Sequence, residues 1–151
     1  MKAILPLLIC LAVADQARSA DPTVTYLSGS DVAKAIRDAP KGAIGSVPLA
    51  TASEYRILGV RRSDSGQAEL HEKEADVWYV IEGRCSLVTG GELVDSKTTA
   101  PGEVRGTSIR GGETRAIGKG DVITIAAGVP HWVQKVEAPM QYLVVKVTQK
   151  P

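Results

Sequence analysis

The segment ELHEKEADVWYVIEG, Glu69 to Gly83, changes character halfway along. Its first part holds His71, Lys73 and four carboxylates, Glu69, Glu72, Glu74 and Asp76. Its second part, Val77 to Ile81, is apolar, β-branched and aromatic, the composition of a strand. A strand turns alternate side chains to opposite faces. If His71 faces an interior, Glu69 and Lys73 face it too. If Leu70 faces it, Glu72 does as well and His71 points out. A slip of one residue exchanges the two sets. Counting back from Gly83 favours Glu72, and counting forward from Gly66 allows His71. A bulge near Glu74–Ala75 reconciles His71 with Asp76. We take His71 as the inward residue.

Outward from this segment, strand signals dominate. SEYRILGVRR, QAELHEK, DVWYVIEG, RCSLVTGG, DVITI and MQYLVVKV are short apolar or alternating runs separated by glycine-containing turns. RCSLVTGG and ELVDSKT read as a hairpin around Gly90–Gly91. KGAIGSVPLA reads as a loop, and APGEVRGTSIRGGE as a long polar connection carrying Arg105 and Arg110, with Arg115 just beyond it. Ser30 to Ala39 reads as one helix, capped by Ser30 or Asp31, striped by Val32, Ala35 and Ile36, and stopped by Pro40. Many short strands and one short helix predict an all-β sandwich or barrel with a mouth for a small ligand.

His71 and His131 are the only histidines. They stand too far apart for a local metal motif, so a shared site requires the fold to bring them together. Two imidazoles and a carboxylate suit Fe, Mn, Ni or Zn as divalent ions and leave coordination positions open to substrate. Candidate ligands are His71, Asp76, His131, Glu72 and Glu74. Lys73, Trp78 and Trp132 are candidate pocket residues, with Lys73 at the mouth and the two tryptophans either walling the pocket or packing the core.

These residues resemble the two sequence motifs of the cupins. The first motif is represented by Gly66, His71, Lys73, Asp76 and Gly83, with Lys73 in place of a second histidine and Asp76 in place of a glutamate. The interval from Lys73 to Asp76 is one residue shorter than the motif's minimum. The second motif is represented by Gly120, Ala126, Gly128 and His131 at the expected intervals, with alanine in place of proline. The resemblance spans roughly Tyr55 to Val147. It implies a cupin-type jelly-roll, or double-stranded β-helix, barrel that holds one divalent metal inside and often pairs as a homodimer through its sheets.

Length and composition agree with one globular domain: 151 residues, 44% hydrophobic and 23% charged. Lys2 followed by the apolar run Ala3–Ala14 and small residues predicts a signal peptide over residues 1–20. An N-terminal helix and extension then occupies 21–54 and the barrel 55–151. The expected location is secreted or periplasmic. Lys and Arg total 18 and Asp and Glu 17, and loss of Lys2 brings the totals level. Nothing in this balance favours nucleic acid or an anionic membrane, and the short apolar run makes no stable membrane anchor. Cys85 would be the one cysteine left, a small buried side chain rather than a nucleophile. The expected partner is a small molecule, met by a metal-dependent oxidoreductase, isomerase or lyase. The alternatives are a metal-free binding module and an assembly role; the catalytic residue is not named by the sequence.

Overall fold

The computed structural model describes residues 24–149. The predicted signal peptide lies outside the described residues. Within them, α1 (Gly29–Asp38) is followed by β1 (Ile44–Thr51), β2 (Tyr55–Arg62), β3 (Ala68–His71), β4 (Glu74–Thr89) and β5 (Glu92–Val94). Next come β6 (Lys97–Ala100), β7 (Glu103–Gly106), β8 (Ser108–Arg110), β9 (Glu113–Gly118), β10 (Val122–Ile125) and β11 (His131–Thr148). The ladders are antiparallel. No described helix is long and apolar enough to cross a membrane.

Two long strands carry the fold. β4 has 16 residues and β11 has 18, and they pair from His131↔Thr89 to Thr148↔Glu74. Before Gly83 the buried residues of β4 are Asp76, Trp78 and Val80; after it they are Cys85, Leu87 and Val88. The parity changes at Gly83, opposite a series of register shifts between Val133 and Tyr142 in β11. Such irregularities bend a strand and let it serve two walls of one barrel. Gly83 has φ 88, and a Cβ there would stand 2.1 Å from the Pro139 carbonyl oxygen, so only glycine fits. The two predicted runs DVWYVIEG and RCSLVTGG are therefore one strand, with Gly83 as its bend. The first half of β4 pairs β10 and the second half pairs β9. Trp78, Val80, Leu87, Ile125, Met140, Tyr142 and Val144 fill the core between these elements.

Four expectations are corrected, three about strands and one about the helix cap, expected at Ser30 or Asp31 and found at Ser28. The predicted loop KGAIGSVPLA contains β1, which pairs β2. Its proline is tolerated because β1 lies at a sheet edge and has a register shift between Pro48 and Ala50. The Gly90–Gly91 hairpin does not form: β5 pairs β8, while the end of β4 pairs β9 and β11. The polar connection is also structured, since β7 pairs β3 and β6. α1 is capped by Ser28, whose hydroxyl accepts from Asp31 N while the Asp31 carboxylate accepts from Ser28 N, both at 3.2 Å. Ile36 buries itself against Gly59 of β2, where a Cβ would come within 2.7 Å of Ile36 Cγ1.

Candidate metal centre

β3, β4 and β11 bring four side chains together. Glu69 and His71 lie on alternate positions of β3, Asp76 near the start of β4, and His131 at the start of β11. His131 pairs with Glu69 across the β11–β3 ladder. The Gly128 N–H donates to the His71 carbonyl at 2.7 Å, tying the turn before His131 to the end of β3. His71, Asp76 and His131 are buried.

The ring atoms converge. His71 Nε2 is 3.7 Å from Asp76 Oδ2 and 3.9 Å from Glu69 Oε2. His131 Nε2 is 3.6 Å from Glu69 Oε1 and 3.9 Å from Asp76 Oδ2. Two atoms bonded to one metal at about 2.1 Å lie between about 3.0 and 4.2 Å apart, so all four separations suit a shared ion. Glu69, His71 and His131 form a group whose ligand atoms lie within 4.8 Å of one another, and Asp76 borders it.

The hydrogen bonds fix what the rings present. His131 Nδ1 donates to the Val129 carbonyl at 3.1 Å, because a carbonyl oxygen only accepts. Burial pushes the His131 pKa down, against the opposing pull of Glu69, so the ring is neutral and Nε2 carries a lone pair. Among the described residues that buried Nε2 has no hydrogen-bond partner. His71 Nδ1 lies 2.9 Å from both Glu103 carboxylate oxygens and donates to them, which turns Nε2 toward the cluster. Arg105 then braces the wall, 2.9 Å from Glu103 and 3.1 Å from Glu69. Two imidazole nitrogens and two carboxylates face one another, the buried His131 Nε2 without a partner among the described residues, and a cation relieves that arrangement.

The other expected residues divide. Glu72 is exposed and takes no part in the cluster. Glu74 lines the cavity but is held by Arg56 at 2.7 and 2.8 Å. Lys73 is exposed at the cavity edge. Trp78 is buried in the wall, with its ring centroid 6.1 Å from that of His131. Trp132 lies outside the wall, half-buried, and donates to the Gly66 carbonyl at 2.7 Å. Of the loop arginines only Arg105 reaches the site; Arg110 pairs with Glu92 and Arg115 with Glu113.

Glu69, Glu103 and Lys146 take part in the site without being among the candidates that the sequence singles out. Lys146 Nζ sits 2.7 Å from Asp76 Oδ1. A signal for Glu69 is present in the motif spacing. Placed two residues earlier, the first motif puts Glu69 at the first histidine, His71 at the second and Asp76 at the glutamate. The interval from His71 to Asp76 then meets the minimum that Lys73 misses. Glu103 and Lys146 meet the cluster through cross-strand pairing, His71↔Glu103 and Lys146↔Asp76, which no local pattern encodes.

The cluster opens into a cavity of about 920 Å³. Its wall is ruled by register. Alternate residues of β2 (Arg56, Leu58, Val60) stand opposite Lys146, Val144 and Tyr142 of β11. These in turn stand opposite Asp76, Trp78 and Val80 of β4. A charged row thus sits beside two apolar rows.

No protein-family model matches the sequence, and no curated protein matches it. Solved structures do match in shape. KdgF from Halomonas sp. is 13% identical with a TM-score of 0.52, covering 73% of this chain and 84% of that one. Streptomyces Pac13, a nucleoside dehydratase also solved with uridine, is 11% identical at 0.51, covering 77% and 81%. A predicted oxalate decarboxylase from Thermotoga maritima is 16% identical at 0.51, covering 72% and 83%. At these identities the likeness speaks to architecture, and it agrees with the curled antiparallel sheet described above: the chain has the cupin-type, double-stranded β-helix fold.

Proposed function

We propose that the protein holds a divalent metal through Glu69, His71 and His131, with Asp76 as a further carboxylate, and acts on a small molecule in the cavity. The carrying observation is the buried, partnerless Nε2 of His131 aimed at the same point as His71 Nε2 and two carboxylates. Two imidazoles and carboxylates favour Fe, Mn, Ni or Zn over purely oxygen-seeking ions. When bound, such an ion supplies a Lewis acid or an oxygen-binding centre, which serves isomerase, lyase or dioxygenase chemistry.

The chain's own residues supply the rest. Glu103 and Arg105 fix the orientation of His71, and the Val129 carbonyl fixes that of His131. Trp78 excludes water from one side of the cluster. Lys146 holds a proton at Nζ beside Asp76 and is the cavity group placed to pass one to a substrate oxygen or carbon. The expected export of the protein belongs to the same reading and rests on Lys2 and Ala3–Ala14.

A second reading, a metal-free binding module, is favoured by one feature: Lys146 and the Trp78 indole N–H already satisfy Asp76, at 2.7 and 3.3 Å. Elemental analysis separates the two. The purified protein is expected to carry close to one equivalent of metal, and His131→Ala to lose it while keeping the fold by circular dichroism. Equal metal in both proteins rejects the ligand assignment, and none in either supports the binding module.

A further inference from the structure

Arg62 is the last residue of β2 and is 6% exposed. It continues the inward row of β2 and lines the same cavity as the metal cluster. Its Nε donates to the Tyr142 hydroxyl at 3.2 Å. Among the described residues it meets no carboxylate. The other cations of this cavity differ. Arg56 is clamped on Glu74, Arg105 on Glu69 and Glu103, and Lys146 on Asp76, while Lys73 is exposed. Taking a guanidinium out of water without a counter-charge is strongly unfavourable. Tyr142 does not offset it as an anion, because burial pushes the phenol pKa up and keeps the hydroxyl neutral.

With Nε engaged, the two terminal nitrogens remain, a planar fork that matches a carboxylate. The fork is also connected to the candidate centre. Tyr142 packs on Trp78 with ring centroids 4.9 Å apart, and Trp78 lies against His131. A molecule lying along these two rings has one end at Arg62 and the other at the cluster. We infer that Arg62 is a specificity-determining residue that receives the carboxylate of a small carboxylic acid, while an oxygen function of the same molecule lies toward Glu69, His71 and His131. A phosphate dianion fits less well, since one unpaired guanidinium balances one negative charge. This inference rests on the cavity being a substrate site, as proposed above, and adds the substrate class.

Calorimetry with two acid–amide pairs, lactate against lactamide and benzoate against benzamide, tests it on the full chain, metal-free and manganese-loaded. The wild type is expected to prefer the acid by at least about tenfold, the scale of one charge-assisted hydrogen bond. Arg62→Gln removes that preference and leaves metal content unchanged. Arg62→Lys keeps a buried charge for folding but not the fork, and loses most of the preference. The inference is overturned if neither acid is preferred, or if the Arg62 variants prefer acids as the wild type does. Acid binding that needs manganese and ignores Arg62 also overturns it, because the carboxylate then sits on the metal. If elemental analysis finds no metal in the purified protein and no manganese is taken up, yet the Arg62-dependent preference remains, the inference stands and the metal reading fails.

Discussion

The paired strands β4 and β11 and the β3–β7 wall meet at the same cluster but are held by different forces. β4 and β11 bury an alternating apolar set, from Trp78 and Val80 to Tyr142 and Val144. Their cohesion is mostly the hydrophobic effect, with each fully buried large side chain contributing roughly 1.5–3 kcal/mol. The inward face of β3 and β7 is instead Glu69, His71, Glu103 and Arg105, joined by ion pairs and hydrogen bonds. These pairs are partly exposed, and such contacts add little net stability while fixing geometry. The molecule thus has one region that makes the barrel and another that shapes the site. Changes in the first should move stability and changes in the second should move metal affinity.

Gly83→Ala gives the largest expected effect. The substitution forces a non-glycine residue to φ 88 and drives a Cβ to 2.1 Å from the Pro139 carbonyl oxygen. Strain alone costs about 1–3 kcal/mol, and the backbone must also shift where β4 and β11 both bend. A loss of at least about 3 kcal/mol, or a melting temperature lower by roughly 10 °C, is expected. A variant as stable as the wild type would show that the bend does not need glycine, and that β4 is not held as one continuous strand by Gly83.

The same contrast explains which features are legible in the sequence. Apolar alternation marks Trp78, Val80, Tyr142 and Val144 directly, so β10 and large parts of β4 and β11 stand out from the sequence alone. The N-terminal helix is equally plain from its stripe, although its cap moves to Ser28. Gly83 misleads because a glycine that bends a strand looks like one that ends it. Pro48 hides β1, since a proline argues against a strand unless the strand is an edge. β6 to β8 are polar and glycine-rich, so periodicity is silent there even though β7 supplies Glu103 and Arg105. At the cluster, strand parity groups Glu69 with His71, but a motif aligned on Lys73 passes over Glu69 as a ligand. Glu103, Lys146 and Arg62 act through partners distant in the chain, and only strand register brings those partners to them.

Glu103→Gln tests the other side of the comparison with a smaller effect. The amide oxygen still accepts from His71 Nδ1, but the charge that strengthens the ring as a ligand and binds Arg105 is gone. Loss of such an outer partner typically weakens metal binding about 10–100-fold. Competition titration with a chelator is expected to show a decrease toward the lower end of that range. The metal-free melting temperature should change by no more than a few degrees, as Glu103 is a partly exposed side chain. A large stability loss with unchanged metal affinity would reverse the division of labour between the two regions.

The smallest effect concerns Cys85, a titratable group placed in the apolar region. Burial pushes its thiol pKa up from 9.0 to about 12, with Arg62 pulling the other way. The folded protein therefore keeps the proton over a range in which the unfolded chain releases it. Between pH 9 and about 12 the unfolded state binds fewer protons, so stability falls as pH rises, by up to about 1.4 kcal/mol per pH unit from this group. Cys85→Ala lacks the contribution. Urea unfolding from pH 8 to 10.5 should show the variant less stable at first, by the lost packing of one small side chain, with the difference narrowing above pH 9. A constant difference would mean that the thiol is solvated, and that the region behind the cluster is not the dry core that sets it apart from the β3–β7 wall.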